Sequence, residues 1–164
     1  MKLVMQRVKE AHLTSEDMQS DIKFGVLAFV GVNELDTIFD VKYLAKKIVN
    51  LRMFDDENGK TNLSLKDVNA DILLVSNFTL QGDTKKGHRP DFIHAAKREQ
   101  ALDLYNKLID EVKFLGLNVA IGNFGKDMQI NTTLDGPFTL ILESEGRTFE
   151  WSTRKIFQSI QKFA

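Results

Sequence analysis

DILLVSNFTL, residues 71–80, opens on an unbroken apolar run and then turns abruptly polar. Ile72 to Val75 leave no alternation for a solvent-facing side. The run is too short for a helix of ordinary length, so it reads as a strand in the interior of a sheet. A second run of this kind, FGVLAFVGV, lies at 24–32. Two fully apolar strands need cover on both faces, and the chain supplies helical periodicity between and after them. Residues 36–51 place Ile38, Val41, Leu44, Ala45, Ile48 and Leu51 at three-four spacing, with Asp36 or Thr37 as the cap. Residues 94–114 repeat the pattern with Ala101, Tyr105, Leu108 and Val112.

Outward from these elements the reading is mostly strand. Residues 2–8 alternate, and 9–14 continue as a second strand or a bulged extension. Residues 15–21 and 54–60 read as polar turns, the latter around Asn58-Gly59. Residues 117–125, 127–134 and 137–144 are strand-like, and 81–92 form a long loop. The tail contains Ile156, Phe157, Ile160 and Phe163 at helical spacing, the pattern of a short amphipathic helix. Strands with two main helices and no repeat make this an α+β or α/β chain. The expected division is one domain over 1–146, with an extension over 147–164.

Composition bounds the chemistry. The 164 residues are 43% apolar and 27% charged, with net charge −1 and 12 phenylalanines. That balance suits a globular domain and argues against coating a nucleic-acid backbone, which needs a broad basic face. A small contact with one end of an RNA stays open. The chain has no cysteine, which removes disulfides, zinc–thiolate sites and thiol nucleophiles and fits a cytoplasmic setting. No apolar run reaches membrane-spanning length, and the alternating N-terminus is not a signal peptide.

His12, His88 and His94 share no metal-ligand spacing, so neither metal nor cofactor is expected. The glycines form no dinucleotide fingerprint or phosphate-binding P-loop. Three features remain. SNFTL, 76–80, ends a buried strand beside a glycine-containing loop, a position suited either to a site or to simple strand termination. KKGHR, 85–89, is either a solvated basic loop or a phosphate contact. Gly136-Pro137 interrupts TTLDGPFTL, 132–140, where a proline signals an edge, a bulge or a cis bond.

Taken in order, MKLVMQRVKEAHLT, GVLAFVGV, KIVNLRMFDDENGKTNLSLKDV, ILLVSNFTL, GDTKKGHRPDF, FGKDMQI and DGPFTL resemble the D-aminoacyl-tRNA deacylases over about residues 1–144. The resemblance implies a compact α/β fold in which sheets form a barrel-like core with helices outside. It implies a homodimer with active sites at the interface. The implied activity is hydrolysis of the ester joining a D-amino acid, or glycine, to the 3′ CCA end of tRNA. A related branch removes L-alanine from threonine tRNA.

Two family motifs carry the implied site, SQxTL and NxGPxT. Ser76, Phe78, Thr79 and Leu80 match the first, with Asn77 where glutamine is usual. Gly136, Pro137 and Thr139 match the second, with Leu134 where asparagine is usual and Phe138 where valine is common. Ser76, Phe78 and Thr79 are the implied catalytic group. Thr79 positions, and the Phe78 and Thr79 amides hold the oxyanion. Water attacks, assisted by the substrate's ribose hydroxyl. Gly136 and Pro137 enter the partner's pocket with a cis peptide and grip the D-residue's amino group, while Arg7, preceded by Gln6, fixes their orientation. Asn77 contacts substrate. Phe92 and Met128 wall the pocket, and Lys85, Lys86 and Arg89 meet tRNA phosphates. A cis Gly136-Pro137 accompanies the D-aminoacyl reading and a trans bond the L-alanyl one. A nonenzymatic DNA- or protein-binding relative would instead use Phe149, Trp151 and the terminal helix.

Overall fold

The computed structural model describes residues 1–144. The expected C-terminal helix and the extension over 147–164 lie outside the described residues. Strands β1 (Lys2–Ser15), β2 (Met18–Ile22) and β3 (Gly25–Gly31) precede helix α1 (Ile38–Asn50). Then come β4 (Arg52–Asp55), β5 (Thr61–Ser64), β6 (Asp71–Ser76), helix α2 (Arg98–Phe114), β7 (Val119–Ile121) and β8 (Gln129–Glu143).

The main sheet runs β2-β1-β3-β6-β7, and β8 pairs along the other side of β1. It curls into the nearly closed, barrel-like sheet that the family resemblance implies, with both helices flanking it. β3 and β6 are parallel, from Gly25 opposite Asp71 to Val30 opposite Ser76. Their unbroken apolar character has a simple cause, because each strand is buried on both faces. Val26, Ala28, Val30, Ile72 and Leu74 join Leu44, Ile48, Leu108 and Val112 in the larger core beneath the helices. Leu27, Leu73 and Val75 point the other way, to Val8, Ala11 and Leu13.

β1 is one continuous strand, the bulged alternative for residues 9–14. Its pairing with β8 shifts register between Gln6 and Val8 and again between Val8 and Glu10. The supposed turn at 15–21 is tighter than expected. Ser15 pairs with Met18, so only Glu16 and Asp17 turn the chain and β2 follows at once. The Asn58-Gly59 turn is correct, with Gly59 at φ +71°, but it joins β4 and β5, strands too short to leave a period in the sequence.

Thr37, not Asp36, caps α1. Its hydroxyl accepts the Phe39 N–H, and Asp40 reaches back to the Thr37 N–H at 2.8 Å, closing a capping box. Asp36 is instead drawn inward, where it accepts the Asn33 N–H at 2.6 Å and pairs with the Met1 ammonium. Burial pushes its carboxyl above the ordinary value, opposed by those two donors.

α2 begins four residues later than the periodicity predicts. Ala95 and Ala96 extend alongside the continuation of β3, where the Ala96 N–H donates to Val32 O at 3.0 Å. A backbone amide already committed to a sheet neighbour cannot enter a helix. The 117–125 strand shrinks to β7, whose pairing with β6 closes on the bond from the Gly122 N–H to Leu74 O at 2.8 Å. The two predicted strands at 127–134 and 137–144 are one, β8, which passes through Gly136-Pro137.

Candidate functional site

The DILLV strand delivers the site. β6 stops at Ser76, and Asn77 caps a single 3₁₀ turn, Phe78–Gln81. The strand therefore ends just after the apolar run, four residues short of the end of the 71–80 stretch. The Asn77 carboxamide oxygen accepts the Thr79 N–H at 3.2 Å and also the Thr79 hydroxyl. Such a local bond is what a short Asx side chain offers and what competes with strand continuation. This turn lies close on β3, since a Cβ on Gly31 would stand 2.8 Å from the Leu80 Cβ and 3.1 Å from Asn77 O. Gln81 fixes that approach by donating to Gly31 O at 2.8 Å.

At this strand end a cavity of about 580 Å³ opens, the size of a small-ligand site. Ser76, Asn77 and Phe78 form one wall, Met128 and Phe124 another. Buried Tyr105 closes the floor and donates its hydroxyl to Leu74 O at 2.7 Å, which holds β6 just before Ser76. Burial raises the Tyr105 pKa far above its ordinary value, so the phenol stays a donor. The Phe78 N–H, first of the 3₁₀ turn, donates to no acceptor among the described residues. No histidine lines the cavity, so a Ser–His pair is not available there.

The predicted residues separate into those the cavity gathers and those it does not. Ser76, Asn77, Phe78 and Met128 line it. Thr79 does not; its amide and hydroxyl are both spent on Asn77, so of the two amides expected to hold an oxyanion only that of Phe78 is open. Phe92 lies behind Phe78, edge-on with ring centroids 5.2 Å apart, and supports that ring rather than the cavity wall. Lys85, Lys86 and Arg89 are exposed on a loop closed by paired bonds between Asp83 and Asp91. None of the three has an ion-pair partner among the described residues.

Gly136 and Pro137 also stand away from this cavity and are exposed. Their peptide bond is cis, and Gly136 has φ +124°, a conformation open to glycine. Leu134 pairs with Val8 and Thr139 with Gln6, so Asp135 to Phe138 bulge opposite Arg7 alone. Arg7 fastens the bulge. Its Nε lies 3.0 Å from Asp135 Oδ2 and 3.3 Å from Asp135 O, and its guanidinium sits 5.1 Å from the Phe138 ring centre. On its other side Nη1 donates to Met53 O at 2.7 Å. Gln6 is a sheet residue here, between Thr139 and Leu27.

Residues 4–143 match the family model described as D-Tyr-tRNA(Tyr) deacylase. The chain belongs to this deacylase family. A D-aminoacyl-tRNA deacylase of Bacillus velezensis is 51% identical over 146 residues, 88% of this chain and 99% of that one. One from Clostridium novyi is 49% identical, with 88% and 98% covered. Among solved structures, the c-Myc DNA Unwinding Element Binding Protein superposes with TM-score 0.82 at 40% identity, covering 88% of this chain and 99% of that one. A probable eukaryotic D-amino acid tRNA deacylase gives 0.77 at 17% identity, covering 86% and 97%, which speaks to the fold alone.

Within the deacylase fold, sequence reasoning overlooked Arg98, Phe124, Tyr105 and Lys126, all of which line the cavity. Phe124 and Lys126 lie in or beside FGKDMQI, so that motif was the available signal. Arg98 had none, because a charge in the first turn of a helix reads as solvated.

Outside the cavity lining, His94 Nδ1 lies 2.9 Å from Glu34 Oε1. That bond raises the His94 pKa, although the pair is exposed. A group raised on folding stabilises the fold below its unfolded pKa and loses that contribution as pH climbs through the folded one. NMR titration should therefore place His94 above an ordinary histidine, and Glu34→Gln should return it toward the ordinary value. An unmoved His94 in Glu34→Gln would refute the bond as the cause.

Proposed function

We propose that this protein hydrolyses the ester of D-aminoacyl-tRNA, and of glycyl-tRNA, releasing the amino acid and free tRNA as a quality-control step of translation in the cytoplasm. The observation that carries this is the cavity at the end of β6, where Ser76, Asn77 and Phe78 present an open amide but no acid–base pair. An ester is already activated, so orientation and one oxyanion donor suffice where an amide would need a base and an acid. Membership of the deacylase family supports the same reaction.

Water attacks the ester carbonyl, assisted by the neighbouring hydroxyl of the terminal ribose. The carbonyl oxygen gains charge beside the Phe78 N–H. Collapse breaks the bond to the ribose oxygen, which takes up one of the water's protons, and the amino acid leaves as a carboxylate with the second proton released to solvent. Ser76 orients the reacting end. Asn77 faces the substrate and holds Thr79, whose part is to shape the turn. Lys85, Lys86 and Arg89 meet phosphates of the CCA end.

The working unit in this reading is a homodimer. Gly136 and Pro137 do not line the cavity of their own chain, and their exposure suits insertion into a partner's. Their backbone carbonyls grip the amino group of a D-residue and leave no room for an L side chain, so selectivity comes from exclusion. The family match and the curated relatives do not favour the L-alanyl or nonenzymatic alternatives, and Phe149 and Trp151 lie outside the described residues.

The test is deacylation of D-tyrosyl-, L-tyrosyl- and glycyl-tRNA by the purified chain, with sedimentation at the assay concentration. Release of D-tyrosine and glycine by a dimer, with L-tyrosine retained, is expected. Equal failure on the D and L esters would overturn the reading.

A further inference from the structure

Arg98 and Lys126 stand at the rim of the cavity from different elements, α2 and the turn after β7, and both are exposed. Arg98 has no carboxylate partner and no hydrogen-bond acceptor among the described residues. Its guanidinium lies instead over the Phe124 ring, 5.8 Å from the centre. It also crosses Gly125 so closely that a Cβ there would stand 2.6 Å from Nη1. Gly125 has φ +70°, so the turn both needs glycine and leaves the arginine its lane. Among the described residues the Lys126 ammonium meets Glu16 alone, 3.7 Å away on the surface, a weak contact. Among the described residues that line the cavity Asp127 is the one carboxylate, and Glu16 stands beside it against Lys126. Of these two cations, Arg98 is the one with no carboxylate partner among the described residues, so its charge is the uncommitted one where the cavity opens to solvent.

A planar guanidinium held on an aromatic shelf, with its donors unspent, is shaped to take two oxygens of one phosphate. We infer that Arg98, seconded by Lys126, binds the phosphodiester on the 5′ side of the substrate's terminal nucleoside as the strand leaves the cavity. This rests on the deacylase reading of the cavity. The terminal nucleoside fills the apolar interior beside Phe124, and its ribose carries the ester toward Phe78. Arg98 touches no reacting atom and is a positioning residue. It adds binding that is the same before and during the reaction.

The probes are amide analogues of 3′-D-tyrosyl adenosine, one with a 5′-phosphate and one without, measured by calorimetry at fixed low salt. The native protein should bind the phosphorylated analogue about tenfold more tightly. In Arg98→Ala that ratio should fall to about one to two while the unphosphorylated analogue binds as before. Arg98→Lys should recover part of it. With full-length D-tyrosyl-tRNA, Arg98→Ala should raise KM about tenfold, leave kcat nearly unchanged and lower the salt slope by about one. A ratio near one in the native protein, or a ratio unmoved in Arg98→Ala, overturns the phosphate contact. If the native protein binds neither analogue and spares D-tyrosyl-tRNA, the deacylase reading falls and this inference falls with it. A ratio that fails while D-tyrosyl-tRNA is still hydrolysed removes the phosphate contact alone.

Discussion

Arg7→Ala loses about 100-fold or more in kcat/KM on D-aminoacyl-tRNA and about 3 kcal/mol of stability. The stability cost follows from what is stranded. Met53 O is buried and loses its donor, Asp135 loses its ion-pair partner, and the Phe54 and Phe138 rings lose the guanidinium between them. Asp135 and Asp55 are partly exposed, so water screens the charge loss and most of the cost sits with the carbonyl and the packing. The activity loss follows from geometry. Arg7 is the single β1 residue facing the bulge that carries Gly136 and Pro137, so without it the bulge is free to shift. Displacement of a gripping group by about 1 Å costs on the order of 100-fold. Arg7→Lys separates the two effects, since an ammonium keeps charge near Asp135 but cannot reach Met53 O and Asp135 with a planar fork. It should regain more stability than activity. Thermal unfolding and deacylation rates check both. A kcat/KM for Arg7→Ala within threefold of native would show that Arg7 does not hold the bulge in its working position.

Gly25→Ala should be the more damaging change to the fold. An added Cβ would lie 1.9 Å from Asp71 O, a backbone atom of the strand paired with β3. Neither side can yield cheaply. Asp71 opens β6, and moving it moves Ile72 to Val75, which are buried on both faces. The expected loss is on the order of 4 kcal/mol, a fall of roughly 10–15 °C in Tm. Because β6 also carries Ser76 to Phe78, activity measured well below the melting point should fall too. Unfolding by heat and by urea checks this, and a Tm within 3 °C of native, roughly 1 kcal/mol, would show that the β3–β6 start can open without cost.

The fold was largely legible because its central elements are regular and strongly patterned. The two apolar runs and the three-four spacing of α1 reflect burial that each residue experiences alone. Boundaries were legible only where the deciding interaction is local. The late start of α2 and the short β7 depend on a distant partner, Val32 O for Ala96 and Leu74 O for Gly122. The proposed site divides the same way. Ser76, Asn77 and Phe78 follow one another in the chain and so reach the cavity together. Arg98 and Phe124 come from segments 26 positions apart and face each other only after α2 and β7 have packed.

The sequence by itself determined the pair of interior strands, the helices and the membership of the deacylase family, since these rest on short-range pattern and on motifs in fixed order. The tertiary structure decided what those motifs do to one another. It spent both polar groups of Thr79 on Asn77, moved Phe92 behind Phe78, set Arg7 against the Gly136-Pro137 bulge and kept that bulge away from its own chain's cavity. The reason is physical. A hydrogen bond or a wall of a cavity belongs to groups that meet in space, and sequence order records such meetings only when the chain itself is the connection.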